Sequence, residues 1–64
     1  MALTLKAARQ IAGYTQQEAA SLLEISRLTL RSYEQYKTVP SIEMAVKIAR
    51  LYKTTVDNII FFIE

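Results

Sequence analysis

The side chains able to do chemistry are six carboxylates, eight Lys and Arg residues and a scatter of hydroxyls; the 64 residues include no histidine and no cysteine. Without imidazole or thiol there is no Ser-His-Asp triad, no Cys nucleophile and no His or Cys metal site. The carboxylates Glu18, Glu24, Glu34, Glu43, Asp57 and Glu64 nowhere form a close pair in sequence. Gly13 is the lone glycine, so there is no Gly-rich phosphate loop. A paired-carboxylate site across the fold would need a shaped cleft, for which the chain leaves little room. No catalytic residue, cofactor or metal is expected. What remains is a basic bias, net +2 with a pI near 9.2, a mild pointer to an anionic partner.

These residues have to be positioned by a single small domain, residues 1–64, near the lower size limit for independent folding. The longest apolar run, Ile59 to Ile63, is far too short to span a bilayer. The opening residues lack the apolar core of a signal peptide. A cytoplasmic, soluble chain with no membrane partner and no further ligand or oligomerisation domain is expected.

Helix punctuation recurs along the chain. Thr15 with Glu18 has capping-box spacing. Ser26 and Ser41 stand where side-chain oxygens can cap free amides, and Thr55 is placed to cap Val56–Phe61. Four such starts after an initial helical stretch predict five short helices. Apolar periodicity agrees: Leu5, Ala8, Ile11 and Ala12 in the first; Ala19, Ala20 and Leu23 in the second; Leu30 and Tyr33 in the third. In the fourth, Ile42, Ala45, Val46 and Ala49 form a stripe opposite Glu43, Lys47 and Arg50. Strand-like patterning is limited to the last residues.

The segment 16–35 is the most telling. A helix capped by Thr15 ends near Leu23; a short turn, Glu24-Ile25, leads to Ser26 and a second helix. Ala20 is small where the two would cross, Ile25 can plug the gap, and Leu30 and Tyr33 face inward. Two short helices joined in this way describe a helix-turn-helix.

At this point the chain resembles the Cro/lambda-repressor-like helix-turn-helix family of bacterial and phage transcription regulators. The motifs are Leu5-x-x-Ala8-Arg9, Gly13-Tyr14-Thr15-Gln16-x-Glu18-x-Ala20, Ile25-Ser26-Arg27-x-Thr29-Leu30, Tyr33-Glu34, Pro40-Ser41-Ile42, Ile48-Ala49 and Val56-Asp57-Asn58-Ile59-Ile60. Each is weak alone; their order and spacing make a strong signal. The resemblance implies an all-α, compact five-helix DNA-binding domain whose second motif helix lies in the major groove of double-stranded DNA. It maps base contacts to Ser26, Arg27, Leu28, Arg31 and Ser32. Arg27 can bond guanine O6 and N7, and Leu28 can meet a thymine methyl. It maps phosphate contacts to Gln16, with Gln17 beside it, and to Lys37 and Thr38 in the exit loop. It also implies a structural ion pair between Arg9 and Glu34. Tyr36 and Glu24 stand where the family often has glycine, which puts loop geometry in question and calls for a left-handed residue at Glu24.

Several residues have plainer readings. Three scattered cations are ordinarily a solvated face; their place on the mapped helix and its exit loop favours DNA. Leu22 is read as an isolated surface hydrophobe. Tyr14, Tyr36 and Tyr52 are read as packing residues with hydroxyls in water. Part of Ile59–Ile63 must complete the core, and Ile60, Phe61, Phe62 and Ile63 are dimer-interface candidates, because large exposed apolar patches are unusual on monomers. The function expected is a Cro-like repressor acting as a homodimer on a palindromic operator. Its half-sites would lie about 34 Å apart. The alternative is a module of the same fold that binds another regulatory protein, motivated by Leu22, Leu28, Glu24 and the apolar tail.

Overall fold

A computed structural model describes residues 2–63. Four α-helices form, α1 (Leu5–Ala12), α2 (Gln16–Leu22), α3 (Arg27–Glu34) and α4 (Ile42–Leu51). Each starts on a hydroxyl that accepts from the third amide of the helix: Thr4 from Ala7, Thr15 from Glu18, Ser26 from Thr29 and Ser41 from Met44, all at 3.1 Å. Thr15 completes a capping box, its own amide donating to Glu18 Oε1 at 2.9 Å. Hydrogen bonding from Thr15, its backbone amide first and its hydroxyl second, holds the exposed Glu18 carboxyl below its ordinary pKa.

The fifth helix does not form. Thr55 makes no side-chain cap, and Val56–Asn58 closes as a single 3₁₀ turn. Ile59–Ile60 then becomes a strand, β2, pairing in parallel with β1 (Leu3–Thr4), in register Leu3 with Ile59 and Thr4 with Ile60. The run of β-branched and aromatic residues after Asn58 favours extended backbone. Pairing also brings Ile59 and Phe61 into the core.

All four helices end the same way. Gly13, Glu24, Tyr36 and Lys53 sit at or just beyond the helix ends with φ of 89°, 60°, 59° and 56°. The amide that follows each reaches back to a carbonyl in the last turn: Tyr14 to Arg9, Ile25 to Ala20, Lys37 to Ser32 and Thr54 to Ala49. Three of the four positions carry a side chain despite the left-handed backbone.

The core centres on Leu5, Leu30 and Ile48, fully buried, with Ala8, Ala19, Ala20, Leu23, Ala45, Ala49, Tyr52, Ile59 and Phe61 around them. Three expected core residues lie outside it: Val46 is only half-buried, and two isoleucines are exposed. Ile11 is 73% exposed, because Leu5, Ala8 and Arg9 define the inward face of α1 and turn Ile11 aside. Ile42 is 85% exposed: it shares the face of Ala45 and Ala49 but stands in the first turn of α4, before the buried span that begins at Ala45.

Candidate nucleic-acid interface

Helices α2 and α3 pack against each other, and α2 turns small residues into the core. Ala19 and Ala20 are fully buried, and Ile25 packs from the turn against the core. The reversal needs Glu24 in its left-handed conformation, with Glu24 N donating to Ser21 O at 3.1 Å and Ile25 N to Ala20 O at 3.0 Å. Ser26 then starts α3. Its Oγ accepts from Thr29 N and shares a 2.8 Å hydrogen bond with the Thr29 hydroxyl, so the expected base-contacting hydroxyl is engaged in the cap.

From this start the sides of α3 separate. Leu30 is buried and Tyr33 packs on the core, while Arg27, Leu28 and Arg31 are exposed. Ser32 is half-buried and its hydroxyl bonds the Thr38 hydroxyl at 3.0 Å, fastening the exit loop to the helix. Leu28, Arg31, Ser32, Gln35 and Lys37 line one shallow hollow; Leu28, Thr29, Ser32, Tyr33, Thr38 and Val39 line the next. The structure thus brings Leu28, Arg31, Ser32, Lys37 and Thr38 onto one continuous surface. Gln17 is exposed on α2 and lines a separate hollow with Tyr14, Glu18, Ser21 and Leu22.

Behind that surface lies a polar chain. Arg9 Nε donates to Glu34 Oε2 at 2.7 Å and Arg9 Nη2 to Glu34 Oε1 at 3.2 Å, with side chains 9% and 5% exposed. Arg9 Nη1 also donates to the Tyr14 carbonyl at 2.9 Å. Gln16 Nε2 donates to Glu34 Oε1 at 3.2 Å, and Gln16 Oε1 accepts from Arg27 Nε at 3.3 Å. Gln16 therefore links the buried ion pair to the exposed Arg27. That link joins residues from two helices, and no local pattern announces it.

Other residues escaped the sequence reading. Lys6 and Gln35 line a hollow with Arg9, Gln16, Arg31 and Glu34. Lys6 lies three residues before Arg9, a helical spacing that could have flagged it. Two tyrosine hydroxyls are not in water as expected. Tyr36 Oη accepts from Leu5 N at 3.3 Å and donates to Ile60 O at 2.9 Å, and Tyr52 Oη is buried with no partner among the described residues. Burial, with the Glu34 charge adding, raises the Tyr52 pKa to about 12. Among the dimer candidates Phe61 belongs to the core and Ile60 is half-buried, so neither presents an open face; Phe62 and Ile63 are exposed.

The comparisons with known proteins agree with this geometry. A family model described as helix-turn-helix matches residues 5–59. The HTH-type transcriptional regulator ImmR of Bacillus subtilis (strain 168) is 41% identical over 56 residues, 88% of this chain and 44% of that protein. The chain thus spans less than half the length of that relative. No solved structure matches significantly. With α2 packed against α3, a buried Ala20, a left-handed turn at Glu24 and a capped α3 whose exposed side carries Arg27, Leu28 and Arg31, the chain belongs to the Cro/C1-type helix-turn-helix family of DNA-binding transcription regulators.

Proposed function

We propose that the chain binds double-stranded DNA sequence-specifically and acts as a small cytoplasmic transcription regulator, a Cro-like repressor that works as a dimer on a palindromic operator. One observation carries the reading: α3 buries Leu30 while Arg27, Leu28 and Arg31 stand exposed on its other side. In a major groove Arg27 and Arg31 would meet guanine edges, Leu28 a thymine methyl, and Ser26 and Ser32 bases or phosphate. Gln16, Gln17, Lys37 and Thr38 would hold the backbone and set register. An occupied operator excludes polymerase or a competing repressor. The relative described as a transcriptional regulator supports the same role. Among the described residues no helix is long and apolar enough to cross a membrane. Phe62 and Ile63 are the dimer contacts of this reading, placed beyond the core-bound Phe61.

The test is selection of DNA sites with the purified chain, followed by anisotropy on the enriched site. A dyad-symmetric site and a loss of both affinity and base preference in Arg27→Ala are expected. Arg27→Ala with both intact overturns the base-reading assignment. A second reading, a protein-binding module, draws on Leu22 and Leu28, 58% and 73% exposed. The two differ in salt response: DNA binding weakens steeply through counterion release, and an apolar protein contact does not.

A further inference from the structure

We propose that Tyr36 is a positioning residue for the DNA-backbone contacts of the loop leaving α3, acting by tying that loop to the ribbon of β1 and β2. This rests on the DNA-binding reading above.

Tyr36 follows the end of α3 with φ +59°, a conformation glycine adopts without strain and tyrosine does not. A residue serving only to turn the chain would gain nothing from a phenol. This phenol instead reaches across the molecule to part-buried partners. Its hydroxyl accepts from the amide of Leu5, one of the amides at the start of α1 that the helix itself leaves unpaired. The same hydroxyl donates to the carbonyl of Ile60, the β2 residue paired with Thr4. One oxygen therefore joins three elements: the exit loop, the first turn of α1 and β2.

The loop so held carries the candidate phosphate contacts. Lys37 N donates to Ser32 O at 3.0 Å, and Thr38 shares its hydrogen bond with Ser32. Both bonds tie the loop to α3 alone. The Tyr36 hydroxyl supplies hydrogen bonds to α1 and β2 at the near end of the loop, beside Lys37, while the buried Pro40 holds its far end. With that hydroxyl removed, Lys37 keeps its charge and its bond to Ser32 but loses the neighbouring anchor to α1 and β2.

The experiment compares the wild-type chain with Tyr36→Phe, Tyr36→Gly, Lys37→Ala and the double variant Tyr36→Phe/Lys37→Ala on the selected DNA site, across a salt series. Tyr36→Phe is expected to weaken binding about fivefold near physiological salt and to lower the slope of log affinity against log salt by about one. Base preference stays that of wild type. The double variant is expected to lose clearly less than the sum of the two single losses, since the tyrosine acts largely through the lysine. Tyr36→Gly, which relieves the backbone strain, is expected to bind as weakly as Tyr36→Phe. Wild-type affinity and slope in Tyr36→Phe overturn the proposal, as do additive losses in the double variant. Amide shifts in the free variants provide a check independent of DNA: Lys37, Thr38, Leu5 and Ile60 should move together in Tyr36→Phe while α2 stays unchanged, and a change confined to residue 36 itself counts against the tie. Failure of the wild-type chain to bind any DNA sinks the functional reading instead, and is thereby distinguished.

Discussion

Arg9 on α1 and Glu34 on α3 meet in a two-bond ion pair that is almost wholly out of water, 2.7 Å at its shorter contact. Burial makes the pair asymmetric in its consequences. Its net contribution as a pair is small, because both charges lose their hydration. Removing one partner strands the other. Arg9→Ala leaves the Glu34 carboxylate with only the Gln16 amide, and is expected to cost about 3–5 kcal/mol. Replacing both partners, as Arg9→Met with Glu34→Leu, should recover most of that loss. Urea unfolding of the two variants checks this; equal destabilisation would show that the charges are satisfied in some other way.

The three side-chain-bearing left-handed residues make an opposite prediction. A non-glycine residue in that region costs on the order of 1–2 kcal/mol, part of which glycine returns through its larger unfolded-state entropy. Glu24→Gly also removes a negative charge from the carbonyl end of α2 and is expected to raise stability by about 1 kcal/mol. Lys53→Gly gives up a favourable cation at the end of α4 and should gain less. Gly13→Ala is the control: nothing lies within 4 Å of the added Cβ, so a loss of about 1 kcal/mol there would be backbone strain alone. Thermal unfolding ranks the three.

Tyr52 gives a pH signature. Its pKa rises from 10.0 to about 12 in the folded protein, so the protonated form belongs to the fold. That contribution is fully present below pH 10, the unfolded value, and is lost as pH rises from there towards 12. Tyr52→Phe removes both the titration and a buried hydroxyl with no partner among the described residues. It should stabilise the protein by about 1 kcal/mol and flatten the alkaline fall in stability. Unfolding midpoints at neutral and alkaline pH decide it.

Glu18 acts at the other end of the scale. Its pKa lies below the ordinary 4.5, so its contribution is present above that value and is lost as pH falls through the lower folded-state value. Glu18→Gln keeps a capping-box acceptor without the charge and is expected to lose this acid dependence while α2 still forms. Far-ultraviolet dichroism along an acid titration, for wild type and variant, makes the comparison.

What could be read from the residues was what is decided locally. Thr15, Ser26 and Ser41 each cap within one turn of themselves, and the helices they begin are where spacing put them. The Glu24 reversal was legible because two helices meet there with only a few residues between them. Local spacing reads Ile59–Ile60 as helix, because the partner that makes it a strand lies at the far end of the chain. Spacing alone puts Ile11 and Ile42 inward; a helix as short as α1 admits more than one inward face, and Ile42 stands at the start of α4, before its buried span. On the candidate surface, the outward set of α3 follows from burying Leu30. The Gln16–Arg27 link and the Tyr36 hydroxyl bonds depend on side chains that meet only after folding.

The parallel pairing of Leu3–Thr4 with Ile59–Ile60 joins residues separated by almost the whole sequence, so it closes the largest loop in the molecule. Such a closure has the greatest entropic penalty of any contact and is favoured only once the helices have drawn the ends together. The clasp is therefore expected to form late, and because it carries Ile59 and Phe61 into the core its opening should loosen the helices as well. Trimming either end opens the same clasp but injures the body differently: a cut past Thr4 also takes the cap of α1, and a cut before Ile59 also takes Ile59 and Phe61 out of the core.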